Sequence, residues 1–89
     1  MSDTTYAKLP RRRVLAFLDF LPISYDRVIC HRDGTITLRS GYHYDGLPLK
    51  KRIVHFLVTY AHVTILQAVD VAWAKDPYVE VRFAFRKRR

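Results

Sequence analysis

From Val79 to Phe85 the chain alternates: Val79, Val81, Phe83 and Phe85 interleave with Glu80 and Arg82, and Arg86 continues the polar set. Successive side chains of a strand point to opposite faces, so this pattern specifies a β-strand with one buried face. One strand cannot bury that face alone. The rest of the chain has to supply sheet neighbours and a covering layer.

The neighbours are legible. Val63–Trp73 carries Val63, Ile65, Val69, Val71 and Trp73 on one face, with Gln67 the exception, and Lys75-Asp76-Pro77 turns into the final strand. Upstream, Asp26–His31 and Thr35–Tyr44 alternate around Arg32-Asp33-Gly34. A two-residue Asp-Gly loop would set Val28 against Arg39 and His31 against Ile36. A three-residue loop with a left-handed Gly34 sets Cys30 against Ile36 and Val28 against Leu38. Apolar matching selects the second register, which puts Val28, Cys30, Ile36, Leu38, Tyr42 and Tyr44 on one face.

Two helices supply the cover. Pro10 takes a first helical position, Val14, Phe17, Leu18 and Leu21 recur at i, i+3, i+4 and i+7, and Pro22 ends the run. Gly46-Leu47-Pro48 opens a second helix with a stripe of Leu49, Ile53, Phe56, Leu57 and Tyr60, opposite Arg52, His55 and Thr59. The order α-β-β-α-β-β predicts an α+β fold, a four-stranded antiparallel sheet with two helices on one face. Arg11–Leu18 and Lys50–Leu57 resemble each other, and each precedes a hairpin, which suggests a pseudo-twofold helix–hairpin repeat. Residues 1–7 read as a flexible lead, 8–86 as a single domain and 87–89 as a basic tail.

A chain of 89 residues makes one domain with a thin core, and its 49% hydrophobic content is enough to pack it. Cys30 is the only cysteine, so no intrachain disulfide forms, as suits a reducing cytoplasm. Met1–Tyr6 holds no signal peptide and the longest apolar run, Val14–Leu18, is too short to cross a bilayer. The expectation is a cytoplasmic protein with no membrane partner.

Charge narrows the function. Sixteen Lys and Arg face eight acids, a formal net charge of +8, and eleven of the cations are Arg. Guanidinium pairs bidentately with phosphate and carboxylate and is weakly hydrated, so this balance points to an acidic partner. Both helices open on three consecutive cations, where the helix dipole disfavours positive charge by about 0.3–1 kcal/mol each. Arg11, Arg12, Arg13 and Lys50, Lys51, Arg52 are thus candidate anion sites, joined by Arg39, Arg82, Arg86 and Lys87.

Other chemistry is thin. Cys30 and His31 point to opposite faces of one strand, and His55 and His62 are two helical turns apart, so neither pair has zinc-ligand spacing. No phosphate loop or nucleophile elbow is present, and no cofactor is implied. The expectation is a binding protein and not an enzyme, with a metal-independent ribonuclease built on His, Arg and Tyr kept as an alternative. Nucleic acid is the first partner; an acidic surface of a host enzyme, engaged by an inhibitor or adaptor, is the second. A homodimer through Val79–Phe85 as an edge strand is a third proposal.

The run Ile36-Thr37-Leu38-Arg39-Ser40-Gly41-Tyr42-His43-Tyr44, the helix Leu49–Tyr60 and Val63–Leu66 through Asp76–Phe83 resemble small bacteriophage-encoded accessory proteins. In those, a strand ending in Gly-aromatic-x-aromatic leads into one helix and a final hairpin. Here Asp45 stands where members carry a basic residue, and a helix and strand are added in front. The resemblance implies a phage or mobile-element accessory factor acting in a host cytoplasm, in a class rich in inhibitors of host defence or transcription.

Overall fold

The computed structural model describes residues 6–41, 49–71, 73 and 75–87. Its elements are α1 (Arg11–Phe20), β1 (Arg27–Cys30), β2 (Thr35–Gly41), α2 (Leu49–Tyr60), β3 (Val63–Val71) and β4 (Tyr78–Phe85). All strand pairs are antiparallel in one sheet of order β1-β2-β4-β3. The α+β architecture is the one the hydrophobic periods require. Exchanging β1 with β3 and β2 with β4 preserves that order, as a helix–hairpin repeat would.

The first hairpin takes the three-residue register, Cys30 opposite Ile36 and Val28 opposite Leu38. Gly34 carries it, with φ +94, where an L side chain would be strained. A Cβ at Gly34 would also crowd the Ala7 carbonyl at 3.3 Å. Asp33 fixes the turn, its Oδ1 accepting from the Thr35 amide at 2.9 Å and the Thr35 hydroxyl at 2.7 Å.

The second hairpin departs from simple alternation. Ile65 lies opposite Phe83 but Gln67 opposite Arg82, so Leu66 is the extra residue of a bulge. One inserted residue inverts every side chain after it. Val63 and Ile65 therefore face the core, whereas Gln67, Val69 and Val71 share the opposite face with Arg82, Glu80 and Tyr78. This corrects the expectation of one face for Val63 through Trp73, and it explains the exception at Gln67. The strand also stops at Val71, leaving Trp73 in the turn, 80% exposed.

β4 lies inside the sheet, paired on both sides, so Val79–Phe85 is not an edge. That position removes the expected dimer contact through this strand, because its backbone groups are already used. The outer strands are β1 and β3. On β1, the Arg11 guanidinium donates to the Val28 carbonyl at 2.8 Å. Tyr6 bridges Arg86, and the Ala7 amide donates to the Phe85 carbonyl at 2.7 Å, so order begins inside the expected lead.

The core gathers Val14, Leu18, Leu21, Val28, Ile36, Leu38, Ile53, Leu57, Val79, Val81 and Phe83 in one cluster, with both helices on the same side of the sheet. Phe17 meets Phe85 edge to face, ring centroids 5.6 Å apart. Tyr60, the last of the α2 stripe, is not buried: it sits in the final turn, past the end of the core, and is 55% exposed. Ser40 is fully buried and donates to the Ser24 carbonyl at 2.7 Å, and Tyr25 donates to Asp19 Oδ1 at 2.7 Å. That bond to Asp19, followed by partial burial, holds the Tyr25 phenol above its ordinary pKa.

The expected positions of Tyr42, His43, Tyr44 and Asp45, the opening Gly46-Leu47-Pro48, Met1–Thr5 of the lead and Arg88-Arg89 of the tail lie outside the described residues.

Leu18→Ala and Leu38→Ala are each expected to lower unfolding free energy by about 2–5 kcal/mol in urea denaturation, since each leaves a cavity. Phe20→Ala, whose ring is 77% exposed, should change it by less than about 0.5 kcal/mol. Equal losses at all three positions would contradict the packing described.

Candidate functional site

The two helix-start clusters do not converge. Arg13, in the first turn of α1, lines the same groove as Tyr60 at the end of α2, whereas Lys50 reaches Asp70 Oδ2 at 3.4 Å, at the far end of β3. The helices run in opposite senses, and a twelve-residue helix is about 18 Å long. The clusters thus sit at opposite ends of the sheet. Within them, Arg11 is committed to the Val28 carbonyl, Arg12 and Lys51 are exposed, and Arg52 is half-buried. α1 has no acid in its first turn and receives no side-chain cap from Pro10.

What does converge is the side of the sheet away from the helices. The strand registers set its residues in rows across the strands. One row is Arg27, Arg39, Glu80 and Val69. The next is Ile29, Thr37, Arg82 and Gln67, followed by Thr35, Ala84 and Thr64. Gly41, Tyr78 and Val71 begin the series at the other end. Arg86 extends it past Ala84, with its Nε donating to Thr64 Oγ1 at 2.9 Å. Arg27, Arg39, Arg82 and Arg86 therefore share one surface, drawn from three strands.

Charges on this face are unbalanced. Glu80 is its one strand acid among the described residues, and Arg39 occupies it at 3.0 Å. The same Arg39 guanidinium lies over the Tyr78 ring, 4.2 Å from its centroid. Arg27 and Arg39 are direct cross-strand partners, a like-charge pairing that costs stability. Arg27 has no ion-pair partner among the described residues, and Arg82 contributes to the field at the nearby Asp33. His31 shares its ring nitrogen Nε2 with Thr37 Oγ1 at 2.8 Å, which places an imidazole at the margin of the basic rows.

Of the residues singled out from sequence, Arg39, Arg82 and Arg86 belong to this face, and Lys87 follows Arg86, exposed. Arg27, His31, Tyr78 and Gln67 belong to it as well. Arg27 could have been found, because alternation sets it opposite the buried Val28. Gln67 could not, because only the bulge brings it there.

A second feature lies at the end of the sheet. A groove of about 530 Å³ opens between the start of α1 and the end of α2, lined by Arg13, Phe17, Tyr60, His62, Phe85 and Arg86 with the chain at Ala7, Leu9 and Ala61.

The Asp33 carboxyl is held below the ordinary carboxylate pKa, first by the Thr35 hydroxyl and then by the Thr35 amide, with Arg82 and His31 adding to it. Stability from a depressed carboxylate is complete above its ordinary pKa and fades as pH falls through the lowered folded value. The turn of the first hairpin should therefore loosen in acid below about pH 4. Carboxyl NMR titration should give Asp33 a midpoint below that of an unstructured peptide. Asp33→Asn, which keeps an Oδ1 acceptor, should remove the acid dependence of Thr35 amide protection. A midpoint at or above the peptide value would refute the assignment.

Comparison with known proteins finds no matching family model, no matching curated protein and no matching solved structure.

Proposed function

We propose that this protein binds single-stranded nucleic acid on the face of its sheet away from the helices. The observation that carries the proposal is the gathering of Arg27, Arg39, Arg82 and Arg86 on one face whose single strand acid, among the described residues, is already held by Arg39. Guanidinium groups in excess of acids attract phosphates, and each contact releases a counterion. Tyr78 under Arg39, with Trp73 exposed in the adjoining turn, offers ring faces for bases.

Shape favours a single strand over a duplex. Four strands spaced about 4.8 Å apart make a face about 14 Å wide, broader than the major groove of about 12 Å that accepts a helix or two-stranded ribbon. The helices lie on the other side and present no recognition element to this surface. A flexible strand conforms to a broad sheet.

Docking on an acidic protein surface is the second reading, favoured by Phe20 and Trp73 at 77% and 80% exposure, large apolar side chains of the kind that anchor interfaces. In either reading the chain would act as an accessory factor, as the resemblance to phage proteins implies.

Fluorescence anisotropy with a labelled oligonucleotide should show affinity falling steeply with salt. Arg82→Ala should weaken binding and reduce the log–log salt slope by about 0.7, one single-strand phosphate contact. Tyr78→Ala should cost about 1–3 kcal/mol with the salt slope less affected. Binding absent at low salt, or indifferent to both substitutions, would defeat the proposal; retention of a single protein partner after nuclease treatment, lost in Trp73→Ala, would favour the second reading.

A further inference from the structure

The groove at the end of the sheet differs in chemistry from the open face. Three of its lining residues, Arg13, His62 and Arg86, are basic, and among the described residues none of the lining is acidic. Of its other lining residues, Phe17, Tyr60 and Phe85 are aromatic, and Ala7, Leu9 and Ala61 are aliphatic. A volume of about 530 Å³ falls within the range of about 300–1,000 Å³ typical of small-ligand sites. Cations beside aromatic rings select a ligand that is both flat and anionic.

The rings are held in place. Phe17 and Phe85 lock edge to face, and Tyr60 lies nearly parallel to Phe56, 15° between planes, with centroids 6.0 Å apart. Tyr60 is therefore oriented by its own helix although more than half exposed. Such pre-orientation lowers the entropy cost of stacking a ligand against it. The floor is fixed too, because Ala7 and Arg86 are hydrogen-bonded through their amides to Phe85 and His62.

Arg86 belongs to both surfaces. Its Nε is held by Thr64 on the face away from the helices, and the residue is part of the groove's lining. Arg86 follows directly on the end of β4, four residues beyond Arg82 on the same face.

We propose that this groove receives the phosphorylated end of the bound strand, with the terminal base against Tyr60 and Phe17 and the terminal phosphate between Arg13, His62 and Arg86. The assignment rests on the open face being the platform for the rest of that strand. It makes the protein a reader of strand ends, which a sheet of evenly spread cations is not.

The test compares three oligonucleotides of one sequence, carrying a 5′-phosphate, a 3′-phosphate or neither, by anisotropy with the full chain. One phosphorylated end is expected to bind about tenfold more tightly than the unphosphorylated strand, from charge-assisted hydrogen bonds at a partly exposed site. Arg13→Ala should erase that preference and leave affinity for the unphosphorylated strand within about twofold, which also reports that the variant is folded, whereas Tyr60→Ala, which removes a stacking surface for the terminal base, should weaken all three strands. Arg82→Ala should weaken all three oligonucleotides alike. Equal affinity for the three strands, with Arg82→Ala still weakening each, overturns the end-reading groove and spares the platform. No binding of any strand overturns both. Saturable binding of a free nucleoside monophosphate that the phosphorylated strand cannot displace overturns the groove's assignment to a strand end.

Discussion

The antiparallel pairing of β2 with β4 is the constraint on which the molecule rests. It joins segments distant in sequence, Thr35–Gly41 against Tyr78–Ala84, and each strand also carries its own hairpin partner on its outer side. Leu38 opposite Val81 and Ile36 opposite Phe83 form the centre of the core and are almost wholly removed from water. Burying side chains of this size stabilises by about 1.5–3 kcal/mol each, so this seam outweighs any ion pair on the surface. Without it the chain would be two helix–hairpin halves, each with an open apolar face.

The same seam decides where charge goes. Because the halves meet head to tail, α1 and α2 run in opposite senses and their basic openings point to opposite ends. The strand cations have no such freedom. Register alone lines up Arg27, Arg39 and Arg82 on the face the helices do not cover, and among the described residues only Arg39 has an ion pair there. A face that keeps Arg27 beside Arg39 tolerates repulsion that one substitution would relieve.

Much of this was readable from residue order. Both helices appear where the 3.6-residue stripes place them, and the hairpin register follows from matching Val28 and Cys30 against Leu38 and Ile36. The bulge was not readable, because one extra residue leaves no mark in composition; its trace was Gln67 at an apparently apolar position, and its effect was to send Val69 and Val71 to the far face. β4 looked like an edge because alternation says nothing about strand order. The groove was invisible for a related reason: the β3–β4 pairing sets Arg86 beside His62 at the end of α2, but only the packing of α1 brings Arg13 to them. The periodicities were local and survived, whereas the site residues depended on contacts between distant segments.

The bond from Arg11 to the Val28 carbonyl has a consequence beyond the joining of helix to strand. Val28 lies on an outermost strand, whose free carbonyls and amides invite a further chain to add on. The guanidinium occupies one such carbonyl, and at the other rim the extra residue at Leu66 interrupts the straight ladder. Each outer strand of the sheet thus carries a departure from a plain ladder, one through a side chain borrowed from a helix and the other through a kink.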